Sequence, residues 1–457
     1  GLDDNYSLSL RTYDGSTLST ALKAFGNNDV CIFGDLTVGI NNTNCSLISS
    51  SILGGHGNCI SGSICNAVIA GGSSNTIKGR SSFIGAGDSN TTCCAFGGIV
   101  AGRDNIVGND DFIGAGRQNT INADSSAKCS GIVAGYQNKI EHCQSFIGAG
   151  QNNLVICCNN AVVAGTYNSG SGCCSFIGAG HCNKVIAQAG VVVGGCKNVA
   201  CQYQYSFIGG GSCNCICNTQ QSAGSVIVGG HCNTMIGTTT FNCNVIVGGS
   251  FNCAPCQLAF IGGGCHNSVT ATGGVVVGGS KNQIQTTGTC AAIVGGLSNT
   301  GSGACSFIGG GQDNTVNTSC YSSIVGGCKN CISSTCALMS FIGGGKLNKA
   351  LANCSVIVGG LTNCIAGMAD GANSAIVGGD TNKICAKCAF IGGGAGNIIC
   401  RETMAASACH AAIAGGCLNC TRANFSFVGG GQSNEMACTS AHGVIGGGSA
   451  NEMHGAC

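Results

Sequence analysis

Cysteines in this chain fall at set distances from a recurring asparagine. Cys290 and Cys305 each lie nine residues before such an Asn, Cys143 and Cys158 ten before, and Cys213 and Cys232 one before. If consecutive repeats stack about 4.8 Å apart, each pair sits inside the Cα separation of roughly 4.4–6.8 Å that a disulfide accepts. These three pairs are therefore expected to be staples between neighbouring turns, each contributing about 2–4 kcal/mol. Several of them would make the molecule resistant to heat and proteases. The chain has 39 cysteines, an odd number, so at least one is free or joined to another chain. Cys31 and Cys457 are the inter-chain candidates. Such a density of thiols fits an oxidising, extracellular setting rather than a reducing cytosol.

Other chemistry is less well served. His adjoins Cys in "HCN" at 181–183 and 231–233 and in "CHN" at 265–267, and "CAPC" (253–256), "CKNC" (328–331) and "CLNC" (417–420) have the spacing of zinc knuckles or thiol oxidoreductases. A zinc site needs four converging ligands, whereas adjacent residues on a strand are expected to point to opposite faces. A redox motif of this kind also needs a helix start. No metal and no cofactor is expected. The glycine run "SFIGGGQDNTV" (306–316) resembles a phosphate or calcium loop, but copies recur at 206–216, 340–350 and, as "SFIGAGQNNLV", at 145–155. Gly345-Lys346-Leu347 lacks the hydroxyl of a phosphate loop, and the fixed polar residue is a neutral Asn rather than the Asp of calcium repeats. With 8% charged residues, paired carboxylates or a nucleophilic triad are not assembled, and the chain reads as non-enzymatic. A net charge of +1 gives no footprint for nucleic acid, and no apolar run is long enough for membrane insertion.

The elements that position these residues follow from the repeat. An Asn three residues after a Gly pair, or after Ala-Gly, recurs from Asn58 to Asn451, most often every 15 residues, with some spacings of 19 or 22. Asn183, Asn198, Asn214, Asn314, Asn330 and Asn348 are members of this series, read as a ladder whose amides bond from one level to the next. A repeat this short, rich in Val and Ile, holds two short strands around a corner and no helix. The fold class is all-β, a β-solenoid of about 25 coils of about 15–19 residues covering 46–457. Phe-type repeats ("SFIGGG") mostly alternate with Val/Ile types ("VIVGG"), yet non-Phe repeats also occur consecutively, which favours one repeat per coil. The Ser-Phe-Ile stretch is expected to fill the core. Residues 1–45 read as an N-terminal cap or connector, with helical spacing of Leu18, Leu22 and Phe25 in 16–25 and a strand over 30–38.

The run "SFIGAGxxN" followed by "IVAGxxN" resembles the head repeats of YadA-like trimeric autotransporter adhesins and the β-roll repeats of viral and phage fibre proteins. The resemblance covers 46–457 and implies three chains packed side by side in a surface-exposed rod. The cysteines, the Asn after Gly-Gly and the repeat length depart from that family. So few charges would solvate a lone monomer poorly, and the chain stops just after a repeat Asn, which suggests stacking. The expected function is a structural subunit of an extracellular or virion-surface fibre, its partners being copies of itself in a trimer or head-to-tail polymer. Two alternatives are an adhesin or receptor-binding rod recognising cell surfaces or glycans through loops 364–375 and 398–412, and an ice-binding solenoid. The latter needs flat ranks of Thr, and "TTT" at 238–240 is isolated.

Overall fold

The computed structural model describes residues 8–13, 18–24, 30–32, 36–46, 49–122, 128–201, 204–217, 224–237, 243–333, 338–368, 371–400 and 408–455. All regular structure among them is β, and the chain is a parallel-strand β-solenoid of about 26 turns. It divides into two compact units, Gly1–Cys201 and Gln202–Cys457.

The first unit opens with a three-stranded antiparallel sheet, β1 (Leu8–Tyr13), β2 (Leu18–Ala24) and β3 (Val30–Ile32). The helix expected over 16–25 is therefore a strand: β2 pairs with β1, Leu18 opposite Tyr13 and Ala24 opposite Leu8. Leu18, Thr20, Leu22 and Ala24 satisfy a period of two as well as Leu18, Leu22 and Phe25 satisfy a helical one, and the neighbouring strands decide. Parallel pairing then begins at Leu36, opposite Ser51. From there each repeat is one turn. Phe83 pairs with Gly98 and Ile84 with Ile99 in a first sheet, Thr76 pairs with Thr91 and Ile77 with Thr92 in a second, and Asp88 bridges Arg103 between them.

Only alternate residues of these two-residue strands face inward. Ile84, Ile99, Ile113, Ile132 and Ile147 of the first sheet are fully buried, as are Ile77, Val107, Ile121 and Ile140 of the second. β-Branched side chains suit this extended, closely stacked backbone and fill the core as two facing columns. The Phe residues are not part of it. Phe83, Phe112 and Phe146 are 44%, 47% and 42% exposed, so the expectation that Ser-Phe-Ile fills the core holds for Ile and fails for Phe. In so narrow a coil the facing columns leave room for branched aliphatics but not for rings.

Polar columns close both corners. Asn153 accepts a hydrogen bond on Oδ1 from the Asn168 N–H (3.1 Å), while its Nδ2 donates to Ala149 O (3.1 Å) and Gly165 O (2.8 Å). Asn183 holds Asn198 N–H in the same way at 3.0 Å. This column starts at Asn42, whose Oδ1 receives the Asn58 N–H at 2.8 Å, one turn before the first Asn of the sequence series. At the other corner a second column runs through the residue before the Phe or Val strand. Ser130 Oγ accepts the Ser145 N–H (3.2 Å), Ser145 Oγ the Asn160 N–H (3.3 Å), and Asn160 Oδ1 the Ser175 N–H (2.7 Å). Buried backbone N–H groups at both corners are thereby paired, as burial demands.

The second unit repeats this plan. Phe307 pairs with Ser323 and Ile308 with Ile324; Thr315 pairs with Cys331 and Val316 with Ile332. Asn314 Oδ1 accepts the Asn330 N–H (2.9 Å) and Asn330 Oδ1 the Asn348 N–H (3.0 Å), and all three asparagines are fully buried. Asn214 Oδ1 accepts the Asn233 N–H at 3.0 Å. The step from the core Ile to the Asn is constant, as in Ile308–Asn314, Ile324–Asn330 and Ile413–Asn419. Extra residues of the longer repeats lie after the second strand, for example between Ile398–Cys400 and Ala412–Ile413.

Candidate functional site

Besides the second Gly of its pair, a turn puts two further residues in the left-handed region; most are not glycine, and many are cysteines. Cys290 and Cys305 have φ of 56° and 53°, and Cys213 and Cys232 have φ of 56° and 52°. Such angles are unfavourable for a residue with a Cβ, and persist because the backbone is tied to the turn below. The Cys290 N–H donates to Thr272 O (3.0 Å) and the Cys305 N–H to Thr289 O (2.8 Å), which stacks these two exposed cysteines on consecutive turns. The Cys232 N–H donates to Ser212 O (2.9 Å), stacking Cys232 beside Cys213 with a hydrogen bond between their thiols. Cys143 and Cys158 bring their Sγ atoms to 2.8 Å. The hydrogen bond to Cys158, then burial, pushes the Cys143 thiol up.

A covalent bond between turns joins Cys157 to Cys173, with Cα atoms 5.1 Å apart. This pair escaped the sequence reading because its members stand at unequal distances from their asparagines, eleven and ten. In the second unit Cys385 and Cys400 are register partners of one parallel pair, and the hydrogen bond between them pushes the Cys400 thiol up. Burial likewise raises Cys331, Cys364 and Cys420, against the opposing pull of Lys349, Lys383 or Arg422. Thiols held this way are protonated at neutral pH and poor nucleophiles. Cys31 lies in β3 opposite Lys23. Cys457 and parts of loops 364–375 and 398–412 (369–370 and 401–407) lie outside the described residues, as does "TTT" at 238–240.

His and Cys neighbours do not diverge as a strand would require. They sit at the corner, where the left-handed residue turns the chain and brings both side chains to one side. Cys182 Sγ lies 3.1 Å from His181 Nε2, Cys232 Sγ 3.3 Å from His231 Nε2, and Cys265 Sγ 2.9 Å from His266 Nδ1.

In each unit the outward face of the first sheet is a largely apolar strip with a regular stagger. Where a turn carries Phe, the residue two further on is Gly, as in Phe146-Ile147-Gly148; the next turn reads Ala161-Val162-Val163. A Cβ at Gly148 would meet Phe146 Cε1 at 3.4 Å and Val163 O at 2.3 Å, so the ring lies over the glycine of its own turn. Bulk thus alternates between the two outward positions along the strip. In the second unit its Val residues from Val228 to Val377 are 44–50% exposed, and Phe307, Phe390 and Phe427 are 37–42% exposed.

No protein-family model matches the chain, and the search of curated proteins finds no match. No helix among the described residues is long and apolar enough to cross a membrane. The fold and these surfaces therefore carry the functional argument. The Cys157–Cys173 bond and the cysteine content point to an oxidising environment.

Proposed function

We propose that the chain is a structural, non-enzymatic subunit of an extracellular or virion-surface fibre, and that copies associate laterally through the Phe/Val strip. The observation that carries this reading is the strip itself. Ten of its Phe and Val side chains between Val228 and Phe427 are more than a third exposed. At roughly 70–80 Å² each they present about 700–800 Å² of apolar surface, close to what one partner contributes to a standard interface. Isolated soluble chains seldom leave so large a contiguous patch uncovered. Scarcity of charge supports the same conclusion, because only 8% of residues are charged and the strip carries none of them. The one-repeat parallel turn is also compatible with the likeness to trimeric adhesin heads and fibre β-rolls.

Sedimentation of the intact protein tests the reading. The native chain is expected to sediment as a trimer or longer polymer, and the double variant V277K/F307K as a smaller species with unchanged circular dichroism. A native protein that stays monomeric at micromolar concentration would overturn it.

A further inference from the structure

Two corners carry the same arrangement of hydroxyl, imidazole and thiol, and in only one of them is a second thiol stacked on the cysteine itself. In the second unit, Ser212 Oγ lies 2.7 Å from His231 Nδ1, and His231 Nε2 lies 3.3 Å from Cys232 Sγ. One turn away Cys213 shares a hydrogen bond with Cys232. In the first unit, Thr166 Oγ1 lies 2.8 Å from His181 Nδ1, and His181 Nε2 lies 3.1 Å from Cys182 Sγ. The residues stacked on Cys182 in its column are Tyr167 and Lys197, since the Cys182 N–H donates to Thr166 O and the Lys197 N–H to His181 O. Both imidazoles are exposed, and both thiols are partly so.

We propose that Cys213 and Cys232 form an exchange-active dithiol served by His231, whose reaction partner is a low-molecular-weight disulfide, and that Cys182 with His181 performs the first half of the same reaction. With Nδ1–H donating to the Ser212 hydroxyl, Nε2 keeps its lone pair toward the thiol, which makes Ser212 a positioning residue. Burial and the neighbouring Cys213 push the Cys232 thiol up, so the thiol needs a base at neutral pH, and its thiolate is the stronger nucleophile once formed. Cys232 passes its proton to His231 Nε2, and the thiolate attacks one sulfur of the small disulfide. That S–S bond breaks, a mixed disulfide forms on Cys232, and the departing thiolate takes the proton from His231. Cys213 then attacks Cys232 Sγ as its thiolate, the bond from Cys232 to the small thiol breaks, and the departing thiolate takes the proton that Cys213 gave up, leaving the Cys213–Cys232 disulfide and a second small thiol. Two protein thiols are oxidised and one small disulfide is reduced, so atoms and electrons balance. At Cys182 no thiol stands in the cysteine's own column, the next cysteine, Cys196, being stacked on His181 instead, and the reaction stops at the mixed disulfide. The bond between Cys213 and Cys232 is on this account exchangeable, unlike one formed between second-sheet thiols such as Cys385 and Cys400, which have no imidazole recorded beside them.

Glutathione disulfide added to the gently reduced, full-length protein tests this by peptide mass mapping over time. The expected result is a transient adduct on Cys232 replaced by a Cys213–Cys232 bond, and a lasting adduct on Cys182. Cys213→Ser should make the Cys232 adduct persist. His231→Gln should slow modification of Cys232 by roughly 10-fold or more near pH 7, with the difference vanishing at high pH where the thiolate forms unaided. Ser212→Ala should move the pH–rate profile of Cys232 while leaving its high-pH rate unchanged. His231 is exposed, so these variants are expected to fold, and the contrast between Cys232 and Cys182 in the native chain needs no variant. Modification of Cys182 and Cys232 no faster than that of exposed Cys290, or a lasting adduct on Cys232 with Cys213 intact, would overturn the proposal.

Discussion

Asp111 stands in the corner column that Ser82, Ser130, Ser145 and Asn160 also occupy, with Gly97 in the turn before it. Its Oδ1 accepts the Ser130 N–H at 2.8 Å, but its buried Oδ2 has no partner. Burial pushes the carboxyl up from 3.8 to about 7, the Ser130 N–H opposes this, and Asp110 adds to it. The sign follows from linkage. Between pH 3.8 and about 7 the unfolded chain releases this proton while the folded chain keeps it, so the group's contribution falls as pH rises through that window. Below it both states are protonated and no penalty exists. Asn160 shows that an amide fits the same position, with Oδ1 accepting from Ser175 and Nδ2 donating to Gly170 O at 3.2 Å. Asp111→Asn is therefore expected to stabilise the protein by on the order of 2 kcal/mol at pH 8 and by little at pH 4. Denaturant titrations at the two pH values measure the difference. A pH-independent gain would mean that packing, not ionisation, is responsible.

At the scale of the element, the three glycines of Phe307-Ile308-Gly309-Gly310-Gly311 are not equivalent. Gly311 has φ of +87°, and a Cβ there would lie 2.1 Å from Gly327 O of the next turn. A Cβ at Gly309 would lie 2.4 Å from Val325 O, whereas nothing stands within 4 Å of one at Gly310. Gly310→Ala is expected to be neutral or stabilising by about 0.5 kcal/mol, through the unfolded chain. Gly311→Ala should cost roughly 3 kcal/mol or more, since backbone, not a movable side chain, blocks the space. Thermal unfolding of the two variants side by side checks the contrast. The sequence holds the same experiment, because Ala86, Ala149 and Ala179 occupy the middle position in the first unit. This is why periodicity, strands and coil length were legible: they depend on backbone needs that repeat in every turn. The side each strand presents was not. Two-residue strands give alternation nothing to run on, so "Phe-Ile" does not declare which residue is inside. The first turn was hidden for a related reason. Its Gly pair is Val38-Gly39, and only the second position, with φ of +109° at Gly39, requires glycine. Cysteine columns were readable from spacing, but the sulfur directions at the corners depend on left-handed residues such as Cys232 that carry no signature of their own.

At the scale of the whole molecule, the turns within each unit are bonded to the turns before and after them, so the stability of a unit is close to a sum of turns and neighbour interfaces. Removing residues 300–314 excises one turn and joins Asn299 to Thr315, which restores the Asn-Thr-Val order of the next repeat. Ala292-Ile293-Val294 then stacks on Ser323-Ile324-Val325, two turns of the small–Ile–Val kind. Consecutive turns without Phe already pair, Val226 with Val245 and Ile227 with Ile246. The shortened chain should therefore keep its melting temperature within about 5 °C. Deleting Gln312 alone removes only one residue, but it falls in the constant step between core Ile and Asn. Asn314 would lose the bonds it makes through its N–H to Asn299 Oδ1 (3.0 Å) and through Nδ2 to Gly310 O and Gly327 O (both 2.9 Å). That change should cost roughly 3–5 kcal/mol. Calorimetry on the two deletions decides whether the Asn corner or the number of turns governs stability: with the corner in control, losing fifteen residues in phase is milder than losing one out of phase.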